Sequence, residues 1–237
     1  MSALELYGSG EEAPSVHPSP LHLVPQGTPR SRCVGWRWNA KRTFDIVAVS
    51  MMLPLLLPLM VALAILIKIM SRGPVMYRHE RIGHHGETFQ MLKFRTMFVD
   101  SGARLESDQA LNDRYVKNDF KLPKGEDPRI VPLGGFLRGS SLDELPQLFN
   151  VLLGHMSLVG PRPIVAAELP QYGLWASAYV VVRPGMTGRW QTEGRNDIRY
   201  PERAMIDAEY VESWRLRSDV MILAKTLPCV MRRTGAQ

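Results

Sequence analysis

The adjacent carboxylates Asp143 and Glu144 are the residues of this chain whose neighbours in sequence best suit a catalytic site. Arg138 precedes them, and Arg162 follows them within a Gly-Pro-Arg-Pro run. Ser141 stands three residues before Glu144, the spacing of a capping box, which predicts that both carboxylates lie in the first turn of a helix. The free N–H groups and positive dipole end of such a turn keep carboxylates ionised and can hold phosphate oxygens. We therefore expect a site for phosphate-bearing substrates around this pair.

The position of Pro146 limits where that helix can begin. Counting from Ser141 places the proline just past the first turn, whereas a start at Asp143 keeps it among the tolerated positions. An Asp-Glu pair in a first turn is also ordinary helix design, so the pair alone does not establish catalysis. A downstream cluster of glycines with Arg183 and Arg195 favours catalysis, because guanidinium groups offer bidentate forks for phosphate and glycines let the backbone approach a ligand.

Lys93 and Arg95 lie in the second of two short predicted strands, 75–78 and 89–95, which are joined by a glycine-rich turn. Successive side chains of a strand point to opposite faces, so these two basic side chains would share one face. The functional interpretation is a pair that faces phosphate. The alternative is a solvated edge strand.

Residues 46–67 form a stretch of 22 residues without a charge, which is long enough for a membrane span. Pro54 and Pro58 fall within it, and each removes a backbone donor and kinks a helix. Basic residues flank both ends, so the positive-inside rule places both ends in the cytoplasm. These flanking residues are Arg30, Arg32, Arg37, Lys41, Arg42, Lys68, Arg72, Arg78 and Arg81. A bent, re-entrant helix satisfies both observations; a simple kinked span remains the alternative, and a buried core helix is disfavoured.

Composition and charge narrow the class of protein. A chain of 237 residues fits one domain with an appendage. Its net charge of +6 suits anionic lipid, phosphate-bearing substrates or nucleic acid. The aromatic residues do not interleave with a basic stripe, which argues against nucleic acid. The two cysteines lie far apart and allow neither a disulfide framework nor a zinc spacing, so a reducing compartment is expected.

Three regions follow from these patterns. Residues 1–36 are rich in Pro, Gly, Ser and Glu and are predicted to be a disordered tail. Residues 37–72 are predicted to contain the membrane helix, and residues 73–237 are predicted to form a catalytic domain on the cytoplasmic face. Helices are predicted at 101–118, 165–172, 202–214 and 220–231. The last of them combines apolar positions with basic residues and suits a membrane surface.

Six blocks of sequence resemble the bacterial sugar transferase family, the monotopic phosphoglycosyl transferases that start exopolysaccharide and glycan assembly. The blocks lie at 41–45, 93–97, 141–150, 156–163, 183–188 and 194–196. The likeness extends over about residues 41–233, in the family's order. It implies a compact, mixed and mostly helical α/β enzyme with a re-entrant N-terminal membrane helix and interfacial amphipathic helices. The implied location is the cytoplasmic face of the bacterial inner membrane.

The resemblance also implies an activity. A hexose 1-phosphate, galactose or glucose, would pass from a UDP-sugar to undecaprenyl phosphate through a covalent aspartyl intermediate, with Mg²⁺ present and UMP released. Asp143 would be the nucleophile, Glu144 its neighbour, and both would hold the metal. The matching phosphate-binding residues are Lys93, Arg138, Arg162 and Arg195, and Arg183 is a further candidate from its position beside the glycine cluster. A homodimer is compatible with the sequence.

Two departures from the family pattern and one rival interpretation accompany this expectation. The family's helix-breaking proline matches Pro58, but Leu57 replaces the usual serine before it and Pro54 is additional. Arg189 stands where the family usually has an apolar residue. The rival interpretation is a non-enzymatic, basic, membrane-associated adaptor, which explains the charge and the apolar segment but not the arrangement of Asp143, Arg162 and Arg195.

Overall fold

The computed structural model describes residues 36–117, 122, 127–193 and 198–231. Within these residues the chain is mixed and mostly helical, as the sequence predicts. The helices are α1 (Trp36–Met70), α2 (Ser101–Glu106), α3 (Gln109–Lys117), α4 (Gly134–Ser140), α5 (Gln147–Leu153), α6 (Ala176–Val180), α7 (Arg189–Glu193), α8 (Glu202–Glu212) and α9 (Leu216–Met231). The strands are β1 (Met76–Ile82), β2 (Thr88–Phe94), β3 (Ser157–Val159) and β4 (Gly185–Thr187). Short 3-10 segments span His84–Gly86, Leu142–Glu144 and Ala166–Trp175.

The predicted hairpin is confirmed. Strands β1 and β2 pair antiparallel, with Tyr77 opposite Lys93 and Arg81 opposite Phe89. The connecting turn contains His85 at φ 59, a left-handed conformation. A second, two-stranded sheet joins β3 and β4 in parallel. Both pairs are short, so the helices form most of the structure.

Several element boundaries differ from those predicted. The predicted helix 101–118 is divided into α2 and α3, and the predicted helix 165–172 is a 3-10 segment. The final helix begins at Leu216, before the predicted start at residue 220. Asp219 is fully buried inside its first turn, where it accepts hydrogen bonds from Lys41 Nζ and Tyr210 Oη, both at 2.6 Å. The carboxylate thus joins α9 to α1 and α8.

Helix α1 continues for 35 residues with Pro54 and Pro58 inside it. By length and composition it could cross a membrane, and 17% of its most apolar window is buried by the rest of the chain. One row of side chains along it is buried, at the three- and four-residue spacing of a single helix face. We call this the inner row; it comprises Lys41, Asp45, Val49, Met60, Leu63 and Ile67. The other faces carry exposed large apolar side chains, including Val47, Met51, Leu55, Val61, Ile65 and Ile69.

The inner row packs against two different parts of the molecule. Val49, in the first half of α1, belongs to a core cluster with Leu148 of α5 and Met156. Ile67, in the second half, belongs to a cluster with Phe94 of β2. The rest of the described chain therefore contacts α1 on both sides of its prolines.

Polar contacts fix the start of α1. Asp45 accepts hydrogen bonds from Ser157 Oγ at 2.8 Å and from the Leu158 N–H at 3.1 Å. Lys41 is buried in an ion pair with Asp219. The interpretation of Lys41 as a cation flanking the membrane is therefore wrong, because its charge is neutralised inside the protein.

Candidate active site

The Asp143-Glu144 pair lies on a 3-10 turn between α4 and α5. Ser141 ends α4 in the left-handed conformation, at φ 56, and makes no side-chain capping bond. The predicted capping box is therefore wrong, because an N-cap residue is extended whereas this serine is the C-cap of the preceding helix. Pro146 occupies the N-cap position of α5, where its missing N–H costs no helical hydrogen bond. Both carboxylates thus precede α5 and do not lie inside its first turn.

Asp143 is a buried carboxylate, only 8% exposed. Burial, and secondarily the neighbouring Glu144 charge, raise the pKa of Asp143 to about 6, against the lowering influence of Lys93 and Arg138. The group is therefore mostly ionised at neutral pH while poorly hydrated. A carboxylate in that state can act as a nucleophile without a general base.

Lys93 is the cation in direct contact with the Asp143-Glu144 pair, which we call the dyad. Its Nζ lies 2.7 Å from Glu144 Oε1, with the lysine side chain 25% exposed and the glutamate side chain 38% exposed. Arg138, from the last turn of α4, is half-buried and acts electrostatically on Asp143. The structure therefore brings Lys93, Arg138, Asp143 and Glu144 into one group.

The remaining predicted cations do not share that group. Arg183 donates from Nε to the Gly154 carbonyl at 2.7 Å, at the opposite end of α5 from the dyad. Arg162 is exposed, and its guanidinium carbon lies 5.9 Å from the centre of the Trp190 ring. Arg195 lies outside the described residues.

Arg95 does not form a phosphate-facing pair with Lys93. It is buried and donates hydrogen bonds to the Ser71 and Arg72 carbonyls, both at 2.8 Å. These carbonyls lie just beyond the last residue of α1, where helical partners are lacking. Arg95 therefore fastens the end of α1 to the hairpin, and of these two basic residues Lys93 is the one that contacts the dyad.

Asn150 is a residue whose role sequence reasoning missed. It is 1% exposed; its Oδ1 accepts from the Leu92 N–H at 2.9 Å and its Nδ2 donates to the Gln90 carbonyl at 2.8 Å. The amide thereby joins α5 to β2 and fixes the dyad relative to Lys93. An asparagine among apolar residues of α5 was the available signal, because a buried amide requires partners.

The donor set is compatible with Mg²⁺. Among the residues that the structure describes, no group of three or more His, Cys, Asp or Glu side chains is placed to hold a metal ion. Mg²⁺ usually takes only one or two carboxylates and completes its octahedron with water and substrate phosphate. Asp143 and Glu144 are adjacent carboxylates of this kind, so they are the residues that would hold the ion.

Comparison with known proteins identifies the family to which this chain belongs. The family model for bacterial sugar transferases matches residues 36–233. Exopolysaccharide production protein ExoY of Rhizobium meliloti is 43% identical over 215 residues, which cover 90% of this chain and 94% of that protein.

Two longer relatives carry names that state a substrate. UDP-galactose-lipid carrier transferase of Erwinia amylovora is 48% identical over 202 residues, which cover 83% of this chain and 41% of that protein. Undecaprenyl-phosphate galactose phosphotransferase of Salmonella typhimurium is 48% identical over 201 residues, with the same coverage of 83% and 41%. The chain thus spans about two fifths of the length of each. Since the family match includes α1, the hairpin and the dyad, this chain belongs to the bacterial sugar transferase family.

Proposed function

We propose that this chain transfers a hexose 1-phosphate from a UDP-sugar to undecaprenyl phosphate and releases UMP. The observation that carries the proposal is the buried Asp143 carboxylate beside Glu144, Lys93 and Arg138. The names of two relatives contain galactose and favour it as the hexose, with glucose as the alternative.

Two displacements account for the reaction. In the first, a carboxylate oxygen of Asp143 attacks the β-phosphorus of the UDP-sugar, and the bond to the bridging oxygen breaks, so UMP leaves with that electron pair. In the second, a phosphate oxygen of undecaprenyl phosphate attacks the same phosphorus, and the bond to Asp143 breaks. The carboxylate is regenerated without net proton transfer. Dividing the transfer in this way avoids the direct approach of two phosphorylated substrates.

The cations of the site reduce the electrostatic cost of bringing anions to a carboxylate. Lys93 holds Glu144 in place and adds positive charge beside Asp143. Arg138 adds a second positive charge from the last turn of α4, which precedes the dyad in sequence. Such charges act most effectively when they are positioned before the substrate arrives. Mg²⁺, when bound by Asp143 and Glu144, would neutralise the diphosphate.

We further propose that α1 enters and leaves the membrane from the cytoplasmic face. Both halves of α1 pack against the rest of the chain, through Val49 before the prolines and Ile67 after them. If α1 crossed the bilayer, part of the domain that covers the inner row would lie in hydrocarbon. There, polar groups and open strand edges would lack partners. Exposed apolar side chains on the other faces of α1 supply the surface for lipid.

A transfer assay separates this enzyme from the adaptor alternative. Purified full-length protein in lipid nanodiscs is incubated with undecaprenyl phosphate and UDP-galactose or UDP-glucose labelled in the sugar and in the β-phosphate. The proposal requires both labels to enter the lipid fraction together and UMP to appear in equal amount. Neither product forms if the chain is only an adaptor.

Rapid acid quenching of a reaction without undecaprenyl phosphate tests the intermediate. Label should then be attached to the protein, and peptide mapping should locate it at Asp143. Transfer to lipid without any protein-bound label would leave the overall activity intact and refute the two-step mechanism.

A further inference from the structure

His79 lies in β1 on the same face of the hairpin as Lys93. It is opposite Met91 in the antiparallel register, and the next pair on the same face is Tyr77 with Lys93. Residues diagonal to one another on one face of such a strand pair have Cα atoms about 7–8 Å apart. The imidazole is half-buried and packs edge-on against Tyr77, with ring centres 5.7 Å apart.

A contact with Arg81 determines which ring nitrogen of His79 carries the proton. Arg81 Nη2 lies 3.2 Å from His79 Nδ1. A guanidinium group has only donors and stays protonated, so Nδ1 must accept and the imidazole proton must reside on Nε2. Arg81 is itself restrained by the Pro163 carbonyl at 3.4 Å and by Glu168 Oε2 at 3.6 Å. The imidazole is therefore held in one tautomer, with Nε2–H as its remaining donor.

His79 is also held in its neutral form. Burial, then the positive charges of Arg81 and Lys93, lower the pKa of His79 to about 4. The side chain is therefore a neutral hydrogen-bond donor at physiological pH and adds no positive charge to those of Lys93 and Arg81.

A row of donors extends from the dyad towards the Gly-Pro-Arg-Pro loop. Lys93 contacts Glu144 at one end, and Lys93 also acts electrostatically on His79. At the other end Arg81 donates to the Pro163 carbonyl and is affected by the charge of Arg162. A nucleoside diphosphate bound at the dyad presents non-bridging oxygens on two successive phosphates, and such a row is complementary to them.

The following inference rests on the proposed function. We infer that His79 binds the UDP-sugar and donates a hydrogen bond from Nε2–H to one of its phosphate oxygens, beside Lys93. Arg81 is the positioning residue that fixes the required tautomer. The hydrogen bond selects a phosphate oxygen by direction, which the rotatable ammonium group of Lys93 cannot do.

Two isosteric substitutions separate the two nitrogens of the ring. In His79→Gln the side-chain NH₂ can occupy the position of Nε2, so the donor is kept. In His79→Asn the amide oxygen can occupy the position of Nδ1, so the contact with Arg81 is kept and the substrate donor is lost. Gln90→Asn is the matched control, since Gln90 is exposed, on the opposite face of the hairpin, and loses one methylene.

The decisive measurements are KM and kcat for the UDP-sugar in full-length protein. We expect His79→Asn to raise KM by about tenfold or more with kcat changed less, because the variant loses a hydrogen bond to a charged phosphate oxygen. His79→Gln and Gln90→Asn should keep KM within about threefold of the unsubstituted protein. A normal KM in His79→Asn, or equal loss in both His79 variants, would overturn the inference and leave the histidine as a support for Arg81.

Binding without turnover provides a second measurement. Calorimetric titration of UDP-sugar into Asp143→Asn protein, with and without His79→Asn, should show the same loss of affinity as KM. Equal affinities would reject the inference. Absence of sugar transfer by the unsubstituted protein would instead reject the proposed function, so the two failures are distinguishable.

Discussion

Lys93 Nζ lies 2.7 Å from Glu144 Oε1, which joins the β1–β2 hairpin to the turn that carries Asp143 across 51 positions of sequence. Both side chains are partly exposed, and ion pairs of that kind contribute little to stability, about 1 kcal/mol or less. The pair therefore matters chiefly for position and charge. It brings a cation to Asp143 while the amide of Asn150 fixes the strand that carries the lysine.

Replacing Asp143 by Asn should abolish turnover, because the amide is not a nucleophile and cannot form the acyl phosphate. The same change should stabilise the fold by about 1–3 kcal/mol at neutral pH, since a folded-state pKa of about 6 means that burial penalises the ionised carboxylate. Sugar transfer and thermal unfolding are the two measurements. Transfer at the unsubstituted rate would refute the nucleophile assignment.

Activity should rise with pH through about 6. In the proposed mechanism the ionised form of Asp143 is the reactive one, and burial raises the pKa of Asp143 to about 6. The stability effect has the opposite sign: because the folded pKa exceeds the unfolded value, the stability contributed by Asp143 is present below about 4 and lost as pH rises through about 6. A profile of kcat/KM from pH 5 to 8 measures the first effect. A flat profile would contradict it.

Replacing Lys93 by Met should shift that acid limb to higher pH, because Lys93 lowers the pKa of Asp143. It should also reduce kcat by about 10–100-fold, through loss of a preorganised cation at the dyad. The unfolding free energy should change by less than about 1 kcal/mol, since the ion pair is partly exposed. Lys93→Arg is the control that keeps the charge. An unchanged limb in Lys93→Met would show that the lysine does not act on Asp143.

Replacing Asn150 by Ala should destabilise the protein by about 2–4 kcal/mol, because the Leu92 N–H and Gln90 carbonyl lose their buried partner. Transfer should fall as well, since α5 and β2 would no longer be held together. Asn150→Asp retains the acceptor for Leu92 but places a buried charge against the Gln90 carbonyl, so it should also be destabilising. Denaturant unfolding measures both variants; unaltered midpoints would show that the amide is dispensable.

The two ends of α1 should be accessible from the same side of the membrane. Asn39→Cys and Arg72→Cys place single thiols at exposed positions, in a background with Cys33 and Cys229 replaced by Ser. In intact cells a membrane-impermeant maleimide should label neither site, and both should react after lysis. Labelling of Asn39→Cys alone in intact cells would establish a crossing and reject the re-entrant proposal.

Local patterns in the sequence predicted much of the fold. The alternation around Lys93 predicts the hairpin, the uncharged run predicts α1, and the Asp-Glu pair between arginines predicts the centre of the site. In each case the pattern spans only a few residues or one helix. The structure confirms the hairpin and the long apolar helix, and it brings Lys93, Arg138, Asp143 and Glu144 together.

The errors concern contacts between distant segments. The flanking charges place Lys41 at the membrane boundary, but its partner Asp219 lies 178 positions away and no local pattern indicates the pair. Arg95 and Arg183 carry the same charge as Lys93, yet each satisfies a carbonyl near the end of a helix. Ser141 fits a capping box by spacing, but the termination of α4 sets its backbone conformation first.

Helix α1 supplies side chains to the protein's interior, which has a bearing on biogenesis. Val49 and Ile67 fill positions in two separate cores, so the later segments cannot complete either core without this helix. During synthesis α1 emerges before those segments and would reach the bilayer while they are still on the ribosome. The protein would therefore complete its folding at the membrane surface. Deleting α1 to obtain a water-soluble version should yield a chain that cannot finish folding.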